Sequence, residues 1–114
     1  MRTLKSFKYA INGLKTVWRE EVNFRLESFA GLAVILSIFL FQLSLLESAL
    51  LIFAVTLVLV SEIINTIVED LCNKIEPDTD LDIGNIKDLS ASFVLLSSLC
   101  SLVIAILVYF MHFN

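Results

Sequence analysis

Helix breakers are nearly missing from this chain: one proline and three glycines stand among 114 residues. That scarcity excludes a loop-rich or low-complexity chain. The two cysteines, Cys72 and Cys100, differ in depth along the apolar pattern and lack metal-ligand spacing, so they read as free thiols. Positive charge is absent from long stretches. No Lys or Arg lies between residues 26 and 73, and none follows Lys87. No Walker A motif, glycine-rich kinase loop or His-Arg-Asp catalytic loop is present, which excludes the soluble nucleotide-binding folds that depend on them.

What is present is hydrocarbon. The chain is 58% hydrophobic, too apolar for a soluble domain of this size. Three uncharged runs stand out: Ser28–Leu46 with 19 residues, Ser48–Ser61 with 14, and Leu89–Met111 with 23. A bilayer crossing needs about 20 apolar residues. The first and third runs suffice alone. The second must continue through Glu62, and on toward Glu69, before it meets water. The first is too long and begins too late for a signal peptide. The expectation is an all-α membrane protein of one domain, residues 1–114. Its spans fall near 28–46, 48–71 and 89–111, after an amphipathic surface helix near 4–27.

Six of the eight basic residues precede the first span, and Lys74 and Lys87 lie between the second and third. The positive-inside rule then places the N-terminus and the 71–88 loop in the cytoplasm. The Ser44–Glu47 turn and the C-terminus face outside. In the surface helix, Leu4, Phe7, Ile11, Leu14 and Trp18 share one face, while Lys5, Lys8, Lys15 and Arg19 crowd the other. Such a helix suits the membrane interface, either as an anchor or as a lid over a site there.

A carboxylate near the bilayer centre costs roughly 2.5–3.5 kcal/mol on insertion scales. At 100° per residue, Glu62, Asn65 and Glu69 fall within about 60° of arc. They form one polar stripe over two turns that cannot face lipid. Asp70 lies off the stripe and reads as facing the interface. Glu21 stands before the first span, at the depth of the inner end of the second, within reach of Glu69. The loop Glu76-Pro77-Asp78-Thr79-Asp80-Leu81-Asp82-Ile83-Gly84 is acidic but lacks the calcium-loop pattern, so it reads as a solvated turn.

These groups allow a phosphoryl-transfer site at the inner leaflet. Glu21 and Glu69 could share Mg²⁺, which takes one or two carboxylates and fills its other positions with water and phosphate. Lys87 offers a point charge for a polyphosphate or a plain positive flank. Glu62, two turns deeper, could accept a proton from a lipid hydroxyl. A small proton or cation carrier is the competing reading; it leaves Glu21, Lys87 and Asp88 idle.

The run Glu62-Ile-Ile-Asn65-Thr-Ile-Val-Glu69, followed by Lys87-Asp88-Leu-Ser-Ala-Ser, resembles the paired motifs of the small prokaryotic diacylglycerol kinase family, which includes undecaprenol kinases. Asn12-Gly13-Leu14-Lys15, Trp18, Glu21 and Phe24-Arg25 are similar to its N-terminal motif. The resemblance implies a homotrimeric helical bundle in the bacterial inner membrane, with active sites shared between subunits. It implies Glu62 as catalytic base, Glu21 and Glu69 as Mg²⁺ ligands that also face ATP, and Lys87 and Asp88 as ATP contacts. Arg2 and Tyr9 match positions near the nucleotide. Asn65, Asn23 and Glu27 fall on the substrate side or support the stripe. The implied reaction is ATP-dependent phosphorylation of diacylglycerol to phosphatidic acid. Glu27, two after Arg25, favours diacylglycerol; undecaprenol is the alternative. The chain departs from the family at Asp78-Thr79-Asp80, where many members carry Tyr-His, and at Asn73, where Asp is common.

Overall fold

The computed structural model describes residues 2–75 and 80–114. The described residues form four helices: α1 Arg2–Glu20, α2 Val22–Leu40, α3 Leu45–Ile75 and α4 Leu81–Phe113. Helices α2, α3 and α4 are each long and apolar enough to cross a membrane. The protein is an all-α membrane protein. At 1.5 Å per residue, the 19 residues of α2 reach about 28 Å, close to the hydrocarbon thickness of a bilayer. Helices α3 and α4, with 31 and 33 residues, extend well beyond it.

Four helix boundaries differ from the sequence expectation. The surface helix ends at Glu20 rather than near residue 27, and the first membrane helix starts at Val22. Glu21 between them is extended, at φ −116° and ψ 110°. Helix α3 runs on to Ile75, and α4 begins at Leu81 rather than at 89. The reason is the shortage of breakers: charge alone does not end a helix once it has left the hydrocarbon. Asp80 caps α4, its Oδ1 accepting from the Ile83 backbone N–H at 3.1 Å. Lys87 and Asp88 therefore sit on a helix rather than in a loop. Of the acidic turn expected over residues 76–84, residues 76–79 lie outside the described residues, Asp80 is the cap, and residues 81–84 form the first turn of α4 instead.

At the other end of the bundle, Gln42 adopts a positive φ of 52° and turns the chain from α2 into α3. Ser44 and Glu47 then make a reciprocal cap. The Glu47 N–H donates to Ser44 Oγ at 3.1 Å, and the Ser44 N–H donates to Glu47 Oε1 at 2.8 Å. The same Oε1 lies 3.1 Å from His112 Nδ1, and His112 Nε2 lies 3.1 Å from the Phe41 carbonyl. One histidine near the end of α4 thus ties both sides of the α2–α3 turn.

Helix α3 is central, packed chiefly on α4 and next on α2. Ser101 of α4 donates to the Ala54 carbonyl of α3 at 2.8 Å. Ser37 and Tyr109 join α2 to α4. Gly31 lets α2 approach α3: a β carbon there would stand 2.6 Å from Val55 Cγ1. The burial pattern is inverted relative to a water-soluble protein. Large apolar side chains such as Leu36, Phe39, Leu96 and Leu102 face outward, while Ser61, Glu62, Asn65, Thr66, Ser97 and Ser101 are buried. Hydrocarbon outside and hydrogen-bonding groups inside are what a lipid solvent selects.

Candidate active site

The polar stripe on α3 faces inward. Glu62 is 3% exposed, and Asn65 and Thr66 are buried beside it. Asn65 Nδ2 donates to Glu69 Oε1 at 3.1 Å, one turn along the same face. Asn65 Oδ1 is buried with no donor. Thr66 spends its hydroxyl on the Glu62 carbonyl at 2.9 Å, leaving the Glu62 carboxyl free of it. Asp70 is exposed.

Two acids from other elements join the stripe. Glu27 of α2 brings its side chain within hydrogen-bonding reach of Glu62. Its Oε2 is nonetheless buried with no donor. Both facts hold because two carboxylates offer acceptors only; one must carry a proton before they can bond. Glu21 stands at the α1–α2 break and makes no capping hydrogen bond with its side chain. Burial first, and then the negative charge of Glu69, pushes its carboxyl above the usual carboxylate range, with Glu62, Asp70 and Glu20 adding to the effect. Carboxylates from three elements thus feel one another's charge. Among the described residues the one ion pair is His112–Glu47, at the opposite end of the bundle. The cluster has no internal cation.

That donor set fits Mg²⁺. Among the described residues no group of three or more His, Cys, Asp or Glu side chains could hold a metal by itself, so a protein-only cage is absent. A pair of carboxylates, one unspent and one braced by an amide, matches an ion that completes its shell with water and phosphate oxygens.

A groove of about 420 Å³ runs from Glu27 along the bundle, lined by Gly31, Val34, Val58, Ser101, Leu102 and other apolar or small residues. A second cavity, about 310 Å³, lies between α1 and α3 and is bounded by Gly13, Thr16, Val17, Glu20, Thr66 and Asp70. The first is an open apolar groove with one half-buried acid, Glu27, in its lining. The second is a more polar space beside the interfacial helix.

Lys87 of α4 donates to Asn73 Oδ1 of α3 at 2.6 Å, which ties the C-terminal end of α3 to the N-terminal end of α4. Arg2, Tyr9, Asn23 and Asp88 are exposed, and among the described residues no side-chain hydrogen bond or ion pair joins them to the stripe. The structure therefore gathers Glu21, Glu27, Glu62, Asn65 and Glu69, and leaves the other candidates around the rim. Sequence reasoning placed Glu21 near Glu69 by depth. It did not foresee the Glu27–Glu62 meeting, because residues on different helices share no spacing rule.

A buried glutamate beside further carboxylates on membrane-spanning helices, with an apolar groove alongside, is an arrangement that can support phosphoryl transfer at a membrane. The family model described as prokaryotic diacylglycerol kinase matches residues 8–109. A diacylglycerol kinase of Escherichia coli K12 is 27% identical over 113 residues, covering 99% of this chain and 93% of that one. One from Haemophilus influenzae is 31% identical over 94 residues, 82% of this chain and 80% of its own. One from Synechocystis sp. is 30% identical over 102 residues, 89% of this chain, and the match spans 58% of its length. The chain belongs to the prokaryotic diacylglycerol kinase family. It is a membrane-embedded lipid kinase, an enzyme that uses ATP on a lipid.

Proposed function

We propose that the protein transfers the γ-phosphoryl group of ATP to the free hydroxyl of diacylglycerol, giving phosphatidic acid and ADP. The observation that carries this reading is Glu62, buried on α3 and neighbouring Glu27, whose side chain lines the apolar groove. The groove accommodates acyl chains, and only a lipid brings its hydroxyl to that depth. Glu62 accepts the hydroxyl proton as the lipid oxygen bonds to phosphorus and the bond to ADP breaks. Glu27 lines the lipid side, and Asn65 braces Glu69.

Glu21 and Glu69 would hold Mg²⁺, which supplies charge neutralisation for the phosphates. Lys87 and Asp88 lie where phosphates arrive from the cytoplasm, with Arg2 and Tyr9 on the nucleotide side and Asn23 near the lipid headgroup. The functional unit is a homotrimer in the bacterial inner membrane, with the N-terminus and the 71–88 segment cytoplasmic and the C-terminus outside. Closed symmetry would hide the polar stripe from lipid on the sides that one subunit leaves uncovered.

ATP-dependent labelling of lipid by the purified protein in detergent tests the reaction. Diacylglycerol should be labelled in preference to undecaprenol. Reversed preference would make the enzyme an undecaprenol kinase on the same scaffold. No labelling of either lipid would remove the kinase reading and favour a proton or cation carrier.

A further inference from the structure

Helix α1 ends and α2 begins at a break that no proline or glycine makes. Residue 21 is a plain glutamate in an extended conformation. A carboxylate at a helix N-cap ordinarily folds back onto the second or third N–H of its own helix. Glu21 does not; its side chain makes no capping bond. Something else must hold the corner.

Arg25, one turn into α2, reaches back across the break. Its Nη1 donates to the Trp18 carbonyl and, at 3.2 Å, to the Arg19 carbonyl. These are C-terminal carbonyls of α1, which lack intrahelical partners and carry the negative end of the helix dipole. The Glu21 N–H closes α1 on the Val17 carbonyl at 2.9 Å, and the Arg25 N–H opens α2 on the Glu21 carbonyl at 3.3 Å. The hydrophobic faces of the corner are fixed too. Val17 and Phe24 are buried on either side, and the Trp18 ring meets Phe29 edge-on at a centroid distance of 5.6 Å. The N–H and carbonyl of Glu21 are thus committed to the corner, while its carboxylate makes no cap and feels the charge of Glu69.

We infer that Arg25 is a positioning residue for the metal site: its guanidinium closes the α1–α2 corner in place of a side-chain cap and so holds the Glu21 carboxylate free and aimed at the space shared with Glu69. The inference rests on the reading of Glu21 and Glu69 as the divalent-cation ligands. A planar fork suits the task because one nitrogen serves two successive carbonyls while the rest of the group stays solvated. Loss of such support to a ligand typically weakens metal affinity by about 10–100-fold.

Trp18 makes the test direct. It is the only tryptophan in the chain, its carbonyl is one of the two that Arg25 holds, and it lies three residues from Glu21. Mn²⁺ added to the full-length protein in detergent, with a non-hydrolysable ATP analogue, should quench Trp18 fluorescence on binding. Glu21→Ala should move half-quenching to the highest Mn²⁺ concentration of the set. Arg25→Ala should move half-quenching to at least about tenfold higher Mn²⁺, with unchanged thermal unfolding and unchanged KM for the lipid. Arg25→Lys, which keeps one donor and the charge, should fall between the two. Arg25→Ala added to Glu21→Ala should change nothing further, because the carboxylate it positions is gone. Unaltered Mn²⁺ affinity in Arg25→Ala would overturn the proposal. So would a variant whose stability and lipid KM deteriorate along with metal affinity, since Arg25 would then be a general structural brace. If Glu21→Ala itself left the quenching intact, the metal assignment would fail first and take this inference with it.

Discussion

Gly31→Ala adds one methyl group where α2 crosses α3, and its consequence can be worked from distances. The new carbon would lie 2.6 Å from Val55 Cγ1, 3.7 Å from Cγ2 and 3.8 Å from Cβ. Carbon atoms in contact sit about 3.5–4.0 Å apart, so one contact is short by about 1 Å. Val55 cannot swing aside cheaply, because a β-branched side chain in a helix keeps essentially one χ1 rotamer. The helices must separate, at an overpacking cost of about 1–3 kcal/mol. Alanine returns up to about 1 kcal/mol through its better helix propensity. The net expectation is a destabilisation of roughly 0–2 kcal/mol in detergent. Activity should suffer more than stability. Glu27 sits one turn before Gly31 on the groove, so separation carries it away from Glu62. Misplacement of a reacting group by about 1 Å can cost up to about 100-fold in rate. Val55→Ala removes both γ carbons, so in that background Gly31→Ala should be tolerated, with a coupling energy of about 1–3 kcal/mol. Unfolding in mixed micelles and lipid phosphorylation, measured across the four-member cycle, provide both readouts. A Gly31→Ala enzyme with normal rate, or a Val55→Ala background that gives no relief, would refute the close-approach argument.

Glu62→Gln should lower phosphoryl transfer by at least about 100-fold, since general bases contribute about 10²–10⁴-fold, while helical content and unfolding hold; more than a tenth of activity retained would contradict the base role. Glu21→Ala and Glu69→Ala should each raise the Mg²⁺ concentration needed for half-maximal rate, and the double variant should be little worse than either single one; additive losses in log rate would separate their roles. Lys87→Met should raise the KM for ATP more than that for lipid, and a lipid-only effect would move Lys87 to the headgroup. His112→Ala should destabilise the outer end by about 1–2 kcal/mol through the loss of its two hydrogen bonds without changing KM for ATP; unaltered unfolding would show that the link to Glu47 and Phe41 contributes nothing.

The membrane helices were legible because their signal is one-dimensional. Apolar runs have a required length, and the stripe of Glu62, Asn65 and Glu69 follows from helical period alone. The burial of Glu62 at 3% exposure is the physical outcome of that period. Helix ends were less legible. The expected loop before Leu89 shrank because Leu81–Asp88 holds no proline and a single glycine, Gly84, too little to stop a helix that Asp80 caps. Lys87 changed character with it: read as a flank or phosphate ligand in a loop, it lies on α4 and bonds Asn73 of α3.

The site divides along the same line. Glu21 could be brought near Glu69 by counting depth, since both lie at ends expected on the same side of the membrane. Glu27 could not be brought to Glu62, because the rotation of α2 against α3 is set by the Gly31–Val55 crossing and not by any period within either helix. The corner at Glu21 was hidden for a third reason. Its code is neither a breaker residue nor a local cap but an arginine four positions on, whose side chain bonds backward to α1. Arg19 and Arg25 look alike in a charge plot, and both count equally toward the positive-inside bias. Only Arg25 has α1 carbonyls within reach, so one of two similar charges shapes the site while the sequence presents them as equals.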